Sequence, residues 1–347
     1  EITQVNASLD EAGDENACLI VGKRVAKRVL RCKDSEIKSI ELHRKSIDAR
    51  KKRDVHFILS FRVELTSHHL EREAVDSVSE RDRSRVRAIK DDGSSFPTPV
   101  SDAPQERPVV VGAGCAGLFA ALTLAEAGLK PLLIERGDPA FRRSHAIDLF
   151  LKERILDPES NIQFGLGGAG TFSDGKLTTR IGDELCGFVT EVFLEHGAPK
   201  EIAWQQKPHV GTDLLRGVIT SIRKEIESLG GEVHFNTALT GFERRDGQLV
   251  GIQTTDGAFP CEALVFAVGH SARDTFGMLM DSGLVLECKP FSVGFRAEHL
   301  QSEIEKSLYH EAAGHPALPR GEYQLSQHVE KRCVYTFCMC PVSYTHL

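Results

Sequence analysis

The stretch Pro108–Gly137, PVVVGAGCAGLFAALTLAEAGLKPLLIERG, decides how the rest of the chain is read. Val109 to Val111 form a short β-branched run of the kind that makes a buried strand. Gly112, Gly114 and Gly117 then open an apolar segment that Gly128 ends. The pattern is strand, tight turn, helix. Gly112 serves the turn, Gly114 lets backbone approach a pyrophosphate, and Gly117 lets helix and strand pack closely. Cys115 and Ala116 lie between them and complete the candidate phosphate-binding set. A helix starting here would offer unpaired N–H groups and the positive end of its dipole to an anion. Leu132 to Ile134 make a second buried strand ending in Glu135, about 20 residues on, where a carboxylate accepts a ribose hydroxyl. Arg136 beside it would instead favour a 2′-phosphate. The stretch predicts a Rossmann-like dinucleotide-binding unit; an ordinary glycine-rich turn would leave the spacing of Glu135 to coincidence.

Downstream, no third parallel strand follows at once. Roughly a hundred residues intervene before Glu232–Phe235, which is announced by a helix over 214–229 with Leu214, Leu215, Val218, Ile219, Ile222 and Ile226 on helical spacing and Gly230-Gly231 as its stop. Asp246-Gly247 and Asp256-Gly257 then punctuate short alternating runs that lead to a last buried strand, Ala263–Val268. A three-stranded meander joining two parallel strands is characteristic of FAD-binding flavoproteins, whereas simple nicotinamide dehydrogenases use a crossover helix. FAD is the expected dinucleotide, with NAD(P)H as a candidate electron donor.

Upstream, Ile20, Val21, Val25 and Val29 recur at helical spacing over 17–30, and Val55, Phe57, Leu59, Phe61, Val63 and Leu65 alternate as in a half-buried strand. These predict a small α/β module. The basic run Arg50–Arg53 reads as a solvated turn. Charge dominates residues 71–90, and Asp, Gly, Ser and Pro dominate 91–108, a linker composition. The expected organisation is a small N-terminal α/β domain (1–90), a linker (91–107), a Rossmann-like FAD-binding domain with a β-meander (108–269) and the start of a substrate region (270–341).

At 347 residues, 41% hydrophobic and 27% charged, the composition is that of a globular protein with about two domains. The net charge of −7 argues against a general nucleic-acid binder. No apolar run approaches the ~18 residues of a membrane span. Nine scattered cysteines fit a reducing compartment better than a disulfide framework.

Several stretches together, Ser46–Lys52, Asn161–Arg180, Lys207–Leu215, Ala267–Phe276, Lys289–His299 and Tyr335–Pro341, resemble a family of FAD-dependent dehydrogenases found in bacteria and plastid-bearing eukaryotes. The resemblance implies a glutathione-reductase-type flavin fold behind a small N-terminal domain, and a cytoplasmic or plastid-stromal location. Two departures stand out. Leu166 occupies a position that is usually acidic, and after Pro341 the family's glycine pair is replaced by VSYTHL, so 342–347 reads as a non-native tail on a truncated substrate region.

Within 161–176, Gly167, Gly168, Gly170, Thr171, Ser173, Asp174 and Lys176 form a loop able to cradle an anion with successive N–H groups, and the resemblance places it beside the FAD pyrophosphate and flavin. The alternative is a surface Ω-loop. Gly170–Lys176 nearly spells a triphosphate-binding loop, but Leu177 stands where Mg²⁺ needs a hydroxyl. Gly269 and His270, with Ser271, Arg273 and Asp274, follow the last strand at its carboxyl end, where α/β sheets place ligands; Arg273 would meet a phosphate or Asp274. His209 and Asp213 flank a helix start, with Asp213 or Thr212 as its N-cap. Cys338 and Cys340 alternate faces in a strand and are read as packing residues, and no metal-ligand spacing or catalytic acid or base stands out.

The expectation is therefore an FAD-dependent oxidoreductase passing a hydride or two electrons to a small-molecule substrate. The alternatives are an FAD-dependent enzyme that modifies RNA, with the N-terminal module as its RNA platform, and a non-enzymatic dinucleotide sensor. The N-terminal module lacks the aromatic signature of an RNA-binding sheet.

Overall fold

The computed structural model describes residues 1–89, 96–172, 175, 177, 179, 181–183, 185–206, 208–295, 297–330 and 332–336. The chain divides into two units, one of Glu1–Gly93, Ala203–Pro208 and Val293–Leu347, the other of Ser94–Ile202 and His209–Ser292.

In the first unit, β1 (Ile2–Ala7), α1 (Glu15–Val29), β2 (Ile37–Asp48), β3 (His56–Leu65), α2 (His68–Asp76) and α3 (Glu80–Arg83) build an antiparallel sheet of order β1-β3-β2. A further segment closes its free edge: Ile2 bridges Val86 antiparallel, Thr3 N donates to Arg85 O at 2.8 Å and Arg87 N to Glu1 O at 3.0 Å. The order of elements is that of a split βαβ, or ferredoxin-like, module. One face of the sheet, through Leu42, Phe57, Leu59 and Phe61, buries Val21, Val25 and Val29 of α1 and Ala74 of α2. Asp14 caps α1 by accepting from Ala17 N at 2.8 Å. Ile20, expected on the apolar stripe, is 71% exposed, whereas Gly22 is buried where a Cβ would come within 2.6 Å of the Phe61 ring. The charge-dense residues up to Arg87 thus belong to the module, and Arg50 pairs with Asp48 in the β2–β3 turn. The same unit contains α9 (Gln301–Tyr309) and a β-hairpin, β11 (Ser326–Val329) with β12 (Arg332–Tyr335). Trp204, Ala312, Ala317 and Leu318 pack on the module's core, and the chain from Val293 on groups with this unit.

In the second unit, β4 (Val109–Val111), β5 (Leu132–Ile134), β6 (Glu232–His234) and β10 (Leu264–Phe266) form a parallel sheet of order β10-β4-β5-β6. The helix α4 (Cys115–Glu126) connects β4 to β5. The long passage from β5 to β6 carries α5 (Ala140–Glu153), the glycine-rich loop, α6 (Leu185–Glu195) and α7 (Thr212–Ser228). On α7, Leu215, Val218, Ile219, Ile222 and Ile226 are buried, while Leu214 is 46% exposed. Its N-cap is Gly211, at φ +82° with no side-chain cap, in place of Thr212 or Asp213. The meander β7 (Leu239–Arg245), β8 (Gln248–Thr254), β9 (Gly257–Pro260) forms as expected, with turns at 246–247 and 255–256. The last strand differs: β10 is an edge strand, and Val265 and Phe266 are 38% and 40% exposed. The helix α8 (Arg273–Asp281) follows.

A candidate dinucleotide cradle

The β4–α4 turn is built as its glycines require. Gly112 has φ +99°, and a Cβ there would meet the Ala267 carbonyl at 2.5 Å; a Cβ on Gly117 would collide with the Gly112 carbonyl. Gly114 is different, since its Cβ would have only Gly168 Cα nearby, at 3.8 Å. It is the N-cap of α4, and no side chain caps the helix, so the first N–H groups after Gly114 remain available. Cys115 and Ala116 are exposed in this first turn, and desolvation by the chain around it pushes the Cys115 thiol pKa up.

The glycine-rich loop approaches from the other side. Gly167 N donates to Ala113 O at 2.7 Å, and a Cβ on Gly168 would lie 2.9 Å from Gly114 Cα. Two backbone segments without side chains therefore meet at the helix N-terminus. Gly170 has open space around its Cα, and Thr171 is 1% exposed with its hydroxyl donating to Leu166 O at 3.3 Å. Ser173, Asp174 and Lys176 lie outside the described residues, as do Cys338, Cys340 and 342–347.

Glu135 is 5% exposed and accepts three backbone N–H bonds: Ala113 at 2.7 Å on one oxygen, Gly137 and Gly165 at 2.9 Å on the other. A carboxylate has about four acceptor sites, so one is left for a ribose hydroxyl. Its main work is to tie turn, strand end and loop together.

Arg136 is committed as well. It forms paired bonds to Glu159 at 2.8 and 3.0 Å and to Asp274 at 2.9 and 2.9 Å, with its guanidinium 4.6 Å over the Phe164 ring. These carboxylates raise its pKa, and Asp274 is held below the usual carboxylate range, first by its hydrogen bond to Arg136. Asp274 binds Arg136, not Arg273, and Arg136 has no open fork for a 2′-phosphate. Glu135, Arg136, Phe164, Thr237 and Thr275 line an open cleft of about 360 Å³ beside Gly112. Gly269 has φ +72° after β10, and His270 Nδ1 lies 2.6 Å from Ser271 Oγ, which donates to Gln163 at 3.3 Å. His209 and Asp213 stand apart from this cleft.

Sequence reading missed Arg143. It is fully buried and donates to the carbonyls of Asn161, Ile162, Gly165, Leu166 and Gly168 at 2.7–3.3 Å. Burial pushes its pKa down to about 10, which leaves it cationic at neutral pH, with the Glu135 charge opposing the shift. Five carbonyl acceptors fit a guanidinium, which has five N–H donors in a rigid fork. The signal was present but faint, since Arg143 and Ile147, four residues apart, are the two buried positions of α5.

The cradle suits the pyrophosphate of FAD, because its walls at Gly114 and Gly168 are backbone alone and a Cβ would fill the space. Comparison with known proteins agrees. A model described as an FAD binding domain matches residues 107–177, one described as an FAD-dependent protein, C-terminal domain-like, matches 290–344, and a domain of unknown function (DUF8436) matches 1–64. An uncharacterised protein of Clostridium beijerinckii is 43% identical over 344 residues, covering 98% of this chain; the chain spans 62% of that relative's length. Among solved structures, L-amino acid deaminase from Proteus vulgaris aligns over 55% of this chain and 53% of its own at 15% identity and TM-score 0.29. L-proline dehydrogenase from P. horikoshii aligns over 53% and 57% at 15% identity and TM-score 0.30. The family models and the clostridial relative carry the assignment: the chain belongs to the family of that relative, a family of FAD-dependent proteins.

Proposed function

We propose that the protein binds FAD across the β4–α4 turn and uses it to pass two electrons between NAD(P)H and a small-molecule substrate. The observation that carries this reading is the meeting of Gly114 and Gly168 at an uncapped helix N-terminus, which leaves room for a pyrophosphate walled by backbone. When bound, FAD supplies the redox chemistry, taking up a hydride equivalent with a proton and passing both electrons on. The protein's residues bind and orient. N–H groups of the α4 first turn hold the phosphates, the remaining acceptor site of Glu135 holds a ribose hydroxyl, and Arg143 keeps the 161–168 loop closed over the turn. Arg136 carries two carboxylates beside the ribose position, so a 2′-phosphate would meet Glu159 and Asp274, and NADP is disfavoured in this cleft. NAD(P)H would then serve as electron donor from elsewhere.

Titration with FAD, followed by flavin fluorescence, tests the reading. Gly114 has φ −73° and ψ −173°, which alanine adopts freely, and its Cβ meets nothing closer than 3.8 Å. Gly114→Ala should therefore keep the fold and lose at least tenfold in FAD affinity, about 1.4 kcal/mol. Unchanged affinity in a folded Gly114→Ala protein would remove the pyrophosphate from this turn.

A further inference from the structure

The ferredoxin-like module buries one face of its sheet under α1 and α2. Its other face carries a pocket of about 980 Å³, counted to its open mouth, floored by the cross-strand neighbours Arg44 and Ser60 and rimmed by the edge segment that contains Arg85 and Arg87. Arg44 has no ion-pair partner among the described residues. Arg85 ties one end of its fork to Asp82 but leaves Nε buried without a partner. Ser60 is 7% exposed. A buried guanidinium nitrogen with nothing to donate to is costly unless a ligand completes it.

The pocket already receives one anionic group. The Glu1 side chain, 4% exposed, accepts from Arg87 at 2.6–2.7 Å and lies 3.7 Å from His43 Nε2. Burial first, then the charge of Arg62, pushes the His43 pKa down, with Arg87 and Arg44 adding to the shift and the Glu1 charge opposing it. Three arginines against one lining carboxylate leave an excess of positive charge, partly offset behind the wall by Asp82.

From this we infer that the module is a ligand-binding domain whose open sheet face takes a small phosphomonoester, with the Arg44 fork on the phosphate and the Ser60 hydroxyl beside it. Guanidinium forks match phosphate oxygens bidentately, and the strand pairing places a hydroxyl next to the fork. Single-stranded RNA fits less well. Recognition of unpaired bases rests on aromatic platforms, and among the described residues no Phe, Tyr or Trp lines the pocket. All the lining residues of this pocket belong to the first unit, and those of the dinucleotide cradle to the second.

Calorimetric titration of the whole chain with inorganic phosphate at low ionic strength, with oligouridylate as a parallel arm, decides the matter. Binding of inorganic phosphate should weaken at least tenfold in Arg44→Glu, weaken less in Arg44→Lys, and persist in Gly114→Ala. FAD affinity should change less than twofold in both Arg44 variants. Phosphate binding that survives Arg44→Glu, or that disappears in Gly114→Ala, would place the phosphate elsewhere and overturn the proposal. Oligouridylate binding that Arg44→Glu abolishes and inorganic phosphate fails to compete would overturn it in favour of RNA. An FAD titration that fails in every protein while phosphate binds as expected would sink the flavin cradle and leave this pocket standing.

Discussion

Two buried side chains of opposite charge organise the cradle, and each makes a distinct prediction. Glu135 accepts N–H groups on both oxygens, so Glu135→Gln, a near-isosteric change, must turn an amide N–H₂ toward either Ala113 N–H or the pair Gly137 and Gly165. A donor then faces a donor in a site 5% exposed, at a cost of about 1–3 kcal/mol. The expected outcome is a lower urea midpoint at unchanged slope together with weaker FAD binding. A variant that loses affinity with no loss of stability would show that Glu135 acts through the ribose alone. Arg143→Lys keeps the charge but offers three donors where five carbonyls wait. Arg143→Ala also removes the cation opposite Glu135 and should cost about 3–5 kcal/mol, the usual loss when one member of a buried charged set is deleted. Both should release FAD on gel filtration, with the lysine variant the milder; equal retention to the parent would mean that the loop does not need this anchor.

At the scale of elements, the glycines separate packing from binding. Gly117→Ala drives a methyl into the Gly112 carbonyl and should push α4 off β4, losing stability and FAD together, whereas Gly114→Ala should lose FAD alone. The Arg136 clamp joins α8 to the 157–160 loop through Asp274 and Glu159. Asp274 has a lowered folded pKa, so its contribution is present above the unfolded value of 3.8 and is lost as pH falls further through the folded value. Arg136, raised in pKa, stays charged throughout. The clamp therefore predicts an FAD dissociation constant that is flat between pH 5 and 9, measured by fluorescence titration. A steep change inside that window would assign the titration to another group.

For the whole molecule, ligand linkage should respect the two units. FAD at a hundred times its dissociation constant stabilises its folded state by about 2.7 kcal/mol. Hydrogen exchange should then slow in β4, the first turn of α4 and residues 165–172, all in the second unit, and stay unchanged in β1 to β3 of the first. Protection spreading equally into β1 to β3 would show that the module takes part in the flavin site. Among the described residues no helix is long and apolar enough to cross a membrane, and no group of His, Cys, Asp and Glu forms a metal site.

What the amino-acid order by itself determined is local and periodic. The β4–α4–β5 unit, the five buried positions of α7 and the meander with its Asp-Gly turn at 246–247 follow from spacing and steric demands that act within a few residues. The glycine at 112 needs a positive φ wherever the rest of the chain lies. Tertiary structure decided everything that rests on partners far apart in sequence. The place of strand β1 in the sheet comes from pairing with β3 and with Val86, which no local pattern encodes. The same holds for the exposure of Val265 and Phe266, since an apolar run is identical whether its strand is central or at an edge. The roles of Glu135, Arg136 and Arg143 were settled last, because the partners that claim their charges, Gly165, Asp274 and the 161–168 carbonyls, lie 18 to 138 residues away. A side chain's chemistry is written in its type, but whether its donors and acceptors remain free for a ligand is known only when the backbone groups around it have been placed.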